Sequence, residues 1–156
     1  MMASLDGRID CEMTEQIDDT NHYYEALAGL DCPSTLEGKT TLKMHYAQDG
    51  EFLKQKHISY ITTGRDGIDI ASALEALRTV FGVERLAVVG GGHINGSMLD
   101  QGLIDEVSMM YGYGIDGREG MAAAFDGRPM ERKPVRLAFK SVEEQDGIVW
   151  MRYQVK

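Results

Sequence analysis

The chain has 156 residues, 43% hydrophobic and 26% charged, and its 25 acidic against 16 basic residues give a formal net charge of −9. This length predicts one domain with a continuous core, and this composition excludes a disordered chain. The acidic balance argues against a dedicated nucleic-acid-binding protein, which depends on clustered Lys and Arg. No apolar run approaches the roughly 18 residues of a membrane span, and the first residues do not read as a signal peptide.

The cysteines and histidines indicate the redox environment of the protein and whether it holds a metal ion. Cys11 and Cys32 are isolated thiols without a CxxC pair or the density of a disulfide scaffold, so we expect a reducing cytoplasm. The four histidines are scattered and lack an HExxH or paired spacing, so we expect no metal site.

The first half of the chain predicts two helices and one strand. Residues 20–30 are consistent with a short helix that carries Tyr23, Tyr24 and Leu27 inward. Residues 57–62 are β-branched and aromatic, which is typical of a strand. Asp69 then stands as an N-cap before apolar residues at helical spacing over 70–81, and Gly82 is placed to end that helix.

The next segment continues the alternation of strand and helix. Residues 86–89 form a short apolar run, which is typical of a strand covered on both faces. Three glycines break it, residues 94–101 predict a short helix closed by Gly102, and residues 106–111 predict another strand. This order predicts an α/β fold with a mostly parallel central sheet.

The C-terminal residues follow a different period. Apolar and polar residues alternate over 135–140 and again over 149–155, with a turn around Asp146 and Gly147. This pattern predicts an antiparallel hairpin added to the parallel unit.

The run Gly90-Gly91-Gly92 is the strongest local motif. Glycines between a buried strand and a helix let a pyrophosphate approach the backbone N–H groups at the helix N-terminus. A tight turn without a ligand explains the run equally well. The spacing of Gly90, Gly92 and Gly96 is not that of a Rossmann fingerprint.

Two further segments contain candidate ligand contacts. Gly38-Lys39-Thr40-Thr41 offers a cation and two hydroxyls for a phosphate, although Pro33 stands where a Walker loop needs glycine, and a solvated turn is the alternative. Asp6 and Gly7 lie in a segment with Ser4 and Arg8 that reads, taken alone, as a simple turn.

Three segments, taken together and in this order, carry a resemblance to a known family. They are residues 2–9 (Met-Ala-Ser-Leu-Asp-Gly-Arg-Ile), residues 38–41, and the stretch Leu-Ala-Val-Val-Gly-Gly-Gly-His-Ile-Asn-Gly-Ser-Met-Leu with Gly-Leu-Ile-Asp-Glu at 86–106. The chain resembles the C-terminal reductase domain of the bacterial riboflavin-biosynthesis deaminase–reductase, within the dihydrofolate-reductase-like superfamily. The resemblance implies a three-layer α/β/α sandwich, NADPH as hydride donor, a pyrimidine or pterin-like small-molecule substrate, and a homodimer. The substrate in that pathway is 5-amino-6-(5-phosphoribosylamino)uracil.

The resemblance also implies site residues but no conspicuous catalytic dyad, because the cofactor carries the chemistry. Ala3 and Ser4 would lie near the nicotinamide, and Ser4 and Asp6 would be on the substrate side. Lys39 and Thr41 match an element that holds NADP phosphates. The residues expected along the pyrophosphate and nicotinamide are Gly91, Gly92, His93, Ile94 and Asn95.

The chain departs from the resembled family in four places. Gly90 stands where a glutamate is common, and residues 36–46 lack an Asp-Asn-Pro segment followed by arginine. These two departures leave open an oxidoreductase for another heterocyclic or carbonyl substrate, or a non-catalytic nucleotide-binding relative. The family also places a buried first strand before Ser4, and a strand with most of a helix near 52–53, so we expect the domain 1–156 to lack both.

Overall fold

Helices and strands alternate along the chain in the computed structural model, which describes residues 1–9, 11–17, 21–37, 55, 61, 63 and 69–156. The helices are α1 (Cys11–Ile17), α2 (Asn21–Gly29), α3 (Ile70–Phe81) and α4 (Gly92–Asp100). The strands are β1 (Met2–Ala3), β2 (Ser34–Glu37), β3 (Leu86–Gly90), β4 (Glu106–Tyr111), β5 (Leu137–Gln145) and β6 (Ile148–Val155). Within these ranges, no helix is long and apolar enough to cross a membrane.

The described strands form two sheets. The larger has the order β1-β4-β6-β5, in which β1 pairs parallel with β4 and the other two pairings are antiparallel. The smaller consists of β2 and β3 in parallel, with Glu37 opposite Gly90. The predicted α/β class and the predicted C-terminal hairpin are both confirmed.

Helix α3 begins and ends where its sequence predicts. Asp69 accepts hydrogen bonds from the Ser72 N–H at 3.0 Å and from the Ser72 hydroxyl at 2.7 Å, which satisfies one of the free donors of the first turn. These bonds hold the pKa of Asp69 below its ordinary value. Gly82 ends the helix with a φ of 66°, a conformation that glycine adopts without strain.

Strand β3 and helix α4 differ in detail from the prediction. In β3, Ala87 and Gly90 are buried while the other residues are half-buried, so the strand is only partly covered. Helix α4 begins at Gly92, two residues before the predicted start. Glycines have low helix propensity, and packing at this helix outweighs that preference.

The N-terminal third is only partly as expected. Helix α2 exists, and Tyr23 packs with Met2, Met110 and Ile148. Tyr24 is 62% exposed, so its predicted inward orientation is wrong, because neighbouring positions on a helix point in different directions. Helix α1 was not predicted. The predicted strand over 57–62, apart from Ile61, and the region near 52–53 lie outside the described residues.

The core lies on both faces of the larger sheet, since successive strand residues point to opposite sides. On one face, Ala3 clusters with Val107, Met109 and Ala124. On the other, Met2 clusters with Met110 and Ile148. Strand β1 is therefore anchored through both of its side chains, and the segment that follows it leaves the sheet from a rigid position.

Candidate active site

Residues 4–9 form a turn directly after β1. The Ser4 side chain lies inside this turn and is fully buried: its hydroxyl donates to Asp6 Oδ1 at 2.6 Å and accepts from the Arg8 N–H at 3.1 Å. Gly7 has a φ of 77°, which a tight turn at this position requires. The Ser4 hydroxyl is thus used by the chain itself.

Asp6 connects this turn to the loop 112–118 that follows β4. Its carboxylate accepts from the Asp116 N–H on Oδ1 and from the Gly117 N–H on Oδ2, both at 3.1 Å. The Ser4 hydroxyl first, and then these two N–H groups, lower the pKa of Asp6 to about 2, because hydrogen bonds to a carboxylate favour its charged form. The Leu5 N–H donates to the Gly114 carbonyl at 2.8 Å. Asp6 is therefore ionised at neutral pH and tied to a segment 110 residues away in sequence.

The second part of the site is the N-terminus of α4. Gly91 is its N-cap, and a Cβ added there would meet no atom within 4 Å. The first N–H groups of any helix lack intrahelical acceptors and, with the helix dipole, attract anions. Open space at Gly91 beside these donors fits a phosphate of a dinucleotide. His93 is exposed and Ile94 half-buried on the same first turn.

Gly92 and Asn95 serve packing. A Cβ at Gly92 would overlap the carbonyl oxygen of Ala123, so only glycine allows this approach. Asn95 is 4% exposed, and its amide donates to the Ala124 carbonyl at 2.7 Å. These two residues dock α4 on the segment 121–126. The space beside the Gly92 Cα is filled by Ala123, and the Asn95 amide is bonded to Ala124.

The segment 121–126 also holds the turn after β1. The Ala124 N–H donates to the Gly7 carbonyl at 3.1 Å, and the Ile9 N–H donates to the Ala122 carbonyl at 3.0 Å. Sequence reasoning missed this segment. Its run of three alanines permits close backbone approach, which is a weak signal that a sequence pattern does not distinguish from an ordinary loop.

The structure therefore brings two groups of predicted site residues into one assembly. Ala3 is buried at the end of β1, and its carbonyl accepts from the Gly112 N–H at 2.9 Å. The turn with Ser4 and Asp6 and the start of α4 are both bonded to residues 121–126. Lys39 and Thr41 lie outside the described residues. Among the residues that are described, no group of three or more His, Cys, Asp or Glu side chains is arranged to hold a metal ion.

Gly90 occupies a backbone conformation that favours glycine. Its φ is 145°, and a Cβ there would lie 3.3 Å from the Met1 methyl group. A larger residue is strained at this φ. The local backbone therefore suits glycine at this position and not the glutamate expected from the resemblance.

Solved structures with the same fold include riboflavin-pathway and pyrimidine reductase-like proteins. A pyrimidine reductase-like protein from Corynebacterium diphtheriae is 12% identical, with a TM-score of 0.77 over 99% of this chain and 89% of that chain. A putative riboflavin biosynthesis protein from Shewanella sp. PV-4 is 17% identical, with a TM-score of 0.74 over 100% of this chain and 96% of that chain. The fold is dihydrofolate-reductase-like, as the resemblance implied.

A longer protein shares the fold over part of its length. The diaminohydroxyphosphoribosylaminopyrimidine deaminase/5-amino-6-(5-phosphoribosylamino)uracil reductase from Thermotoga maritima is 15% identical, with a TM-score of 0.68. The match covers 99% of this chain and 55% of the Thermotoga chain. No curated protein sequence is significantly similar to this chain.

The sequence itself defines the family. The profile of the RibD C-terminal domain matches residues 32–149, which is more than half of the chain. The chain belongs to the RibD C-terminal domain family, a family of riboflavin-biosynthesis reductases. The family inferred from the three segments is confirmed.

Proposed function

We propose that this protein is an NADPH-dependent reductase that reduces 5-amino-6-(5-phosphoribosylamino)uracil or a close pyrimidine relative. Membership of the RibD C-terminal domain family is the observation that carries the reaction class. The Thermotoga maritima protein of the same fold is described as a reductase of that uracil compound, which supports the substrate class.

The N-terminus of α4 supports the proposal that NADPH is the cofactor. Gly91 leaves open space beside the first N–H groups of the helix, and a pyrophosphate bound there would accept hydrogen bonds from them. His93 and Ile94 would flank it. Lys39 and Thr41 would hold the phosphate that distinguishes NADPH from NADH, since a cation and a hydroxyl suit that group.

The reduced nicotinamide of the bound cofactor supplies the hydride. What this chain contributes is alignment and the exclusion of water. The backbone at Ala3 and Ser4 is held in place because both residues are buried, Ala3 is bonded to Gly112, and Ser4 is bonded to Arg8 within its own turn. Such a backbone edge suits a planar ring that must be held at a fixed distance from the acceptor carbon.

Thermal unfolding followed by turnover tests this proposal. NADPH at about 100 times its Kd should stabilise the folded protein by about 2.7 kcal/mol, and NADH at the same concentration by much less. On addition of the uracil substrate, the protein should then oxidise NADPH, and the reaction is followed through the absorbance of the reduced nicotinamide. No shift with either nucleotide contradicts the cofactor, while a shift without turnover identifies a nucleotide-binding protein that does not reduce this compound.

Gly90 favours one alternative, an oxidoreductase that acts on another heterocyclic or carbonyl compound. The glutamate associated with the riboflavin substrate would be strained at the φ of Gly90, so a different substrate is compatible with the same cofactor site. NADPH consumption with a dihydropteridine but not with the uracil compound would favour it.

We also propose a homodimer. Leu137, Phe139 and Val142 are exposed on the edge strand β5. They pair with alternate residues of β6, namely Val155, Tyr153 and Met151, so they share one face of the hairpin. Sedimentation should give twice the chain mass for the native protein and the chain mass for Phe139→Lys; a monomeric native protein contradicts the proposal.

A further inference from the structure

The carboxylate of Asp6 is bonded to three donors of this chain, namely the Ser4 hydroxyl and the N–H groups of Asp116 and Gly117. A carboxylate accepts about four hydrogen bonds in all. Although the residue is exposed, most of its acceptor capacity is therefore used within the protein. We call Ser4, Asp6, Asp116 and Gly117 the Asp6 clasp.

The loop that the clasp holds is also a meeting point of other elements. The Gly112 N–H donates to the Ala3 carbonyl at 2.9 Å. Cβ atoms added at Gly112 and Gly114 would lie 2.5 and 2.7 Å from the Ile17 side chain, so the end of α1 packs directly on this loop. At its far end, Asp116 forms an ion pair with Arg118, and the Asp116 side chain is almost completely buried.

We propose that Asp6 is a positioning residue, which fixes the loop 112–118 against the turn 4–9 and thereby sets the backbone at Ala3 and Ser4, instead of contacting the substrate itself. The link to the substrate rests on the proposed function, whereas the link to the loop does not. The pKa of about 2 supports it, because a carboxyl group that stays ionised has no proton to give at neutral pH.

Amide exchange tests the clasp without cofactor or substrate. In the free protein, Asp6→Ala should raise the exchange rates of the Asp116 and Gly117 amides by about tenfold or more, since both lose their acceptor. Asp6→Asn should give intermediate rates, because its amide oxygen still accepts. Unchanged rates at both amides in Asp6→Ala would overturn the proposal.

Asp69 provides a matched control. It is likewise an exposed aspartate that accepts from a backbone N–H and from a serine hydroxyl, but it caps α3. Asp69→Ala should leave the exchange of the Asp116 and Gly117 amides as in the native protein. A similar rise in this variant would overturn the local tie to Asp6, since it would indicate general loosening.

Steady-state kinetics with NADPH and 5-amino-6-(5-phosphoribosylamino)uracil then separate positioning from direct contact. Asp6→Ala should lower kcat/KM by about tenfold or more, because small misplacements of reacting groups are costly. Asp6→Asn should recover most of this loss and keep the native pH profile. If Asp6 bound the substrate by charge or transferred a proton, Asn would be as poor as Ala and the acid limb of the profile would change, which would overturn the proposal. A native protein that fails to turn over this substrate contradicts the proposed function alone, since the exchange experiment still decides the clasp.

Discussion

Two adjacent glycines at the start of α4 should respond differently to substitution, and this difference tests the cofactor site. Gly91→Val adds a side chain where no protein atom lies within 4 Å, so its bulk would extend into the space assigned to the pyrophosphate. NADPH affinity should fall by at least tenfold, which is about 1.4 kcal/mol. The fold should be retained, with a loss of about 1 kcal/mol in the free energy of unfolding because valine is a less suitable N-cap residue.

Gly92→Ala should instead lower the stability of the fold. Its new methyl group would overlap the Ala123 carbonyl oxygen and lie 3.2 Å from the Asp126 Cβ, so the segment 121–126 must move. Overpacking of this kind costs about 1–3 kcal/mol. For a chain of this size that corresponds to a fall in Tm of about 2–12 °C.

Gly29→Ala is the matched control, because a Cβ at Gly29 meets nothing within 4 Å and its φ is not in the left-handed region. It should change neither Tm nor affinity appreciably. Isothermal titration with NADPH and thermal unfolding on the same samples give both quantities. Unchanged NADPH affinity in folded Gly91→Val would refute the placement of the pyrophosphate at α4.

Three further substitutions probe the cofactor, the core and a helix end. Lys39→Ala should weaken NADPH binding by about 1.5–3 kcal/mol and leave NADH nearly unchanged in titrations, because the lost contact is charge-assisted; equal losses would show that Lys39 does not select the phosphate. Met98 is 1% exposed, so Met98→Ala should cost about 2–5 kcal/mol in denaturant unfolding, whereas Met130→Ala, at a fully exposed residue, should stay within about 0.5 kcal/mol. Asp69→Ala should lower Tm at neutral pH. The folded state depresses the pKa of Asp69, so its stabilising effect is present above the ordinary pKa of 3.8 and disappears as pH falls through the lowered value; a difference in Tm that does not shrink as the pH falls below 3.8 would contradict this assignment.

The elements predicted best are those whose signals are local. Asp69 and Gly82 bound α3 through contacts within one helical turn. The hairpin alternation and its Asp146-Gly147 turn likewise depend on neighbouring residues. Tyr24 shows the limit of such patterns, because adjacent helix positions point in different directions and the sequence does not say whether Tyr23, Tyr24 or both face the core.

The site was harder to predict because each of its contacts joins a backbone group to a residue that is distant in sequence. Ile9 bonds to Ala122, and Asp6 bonds to Asp116 and Gly117, and none of these pairs leaves a mark in side-chain periodicity. The three glycines at 90–92 look equivalent in the sequence. The structure gives each a separate role: a left-handed backbone at Gly90, open space at Gly91 and close packing at Gly92.

The position of Gly90 bears on the proposed substrate. It lies at the carboxyl end of β3, opposite Glu37 at the end of β2, so this edge of the smaller sheet still carries a carboxylate one strand away from the position where the resemblance places a glutamate. Replacing Gly90 by glutamate would not simply restore that group, because the φ of 145° is strained for any residue with a Cβ. The backbone of β3 would have to change with the side chain. The glycine is therefore coupled to the local strand geometry, and the carboxylate of this strand pair belongs to Glu37 of β2.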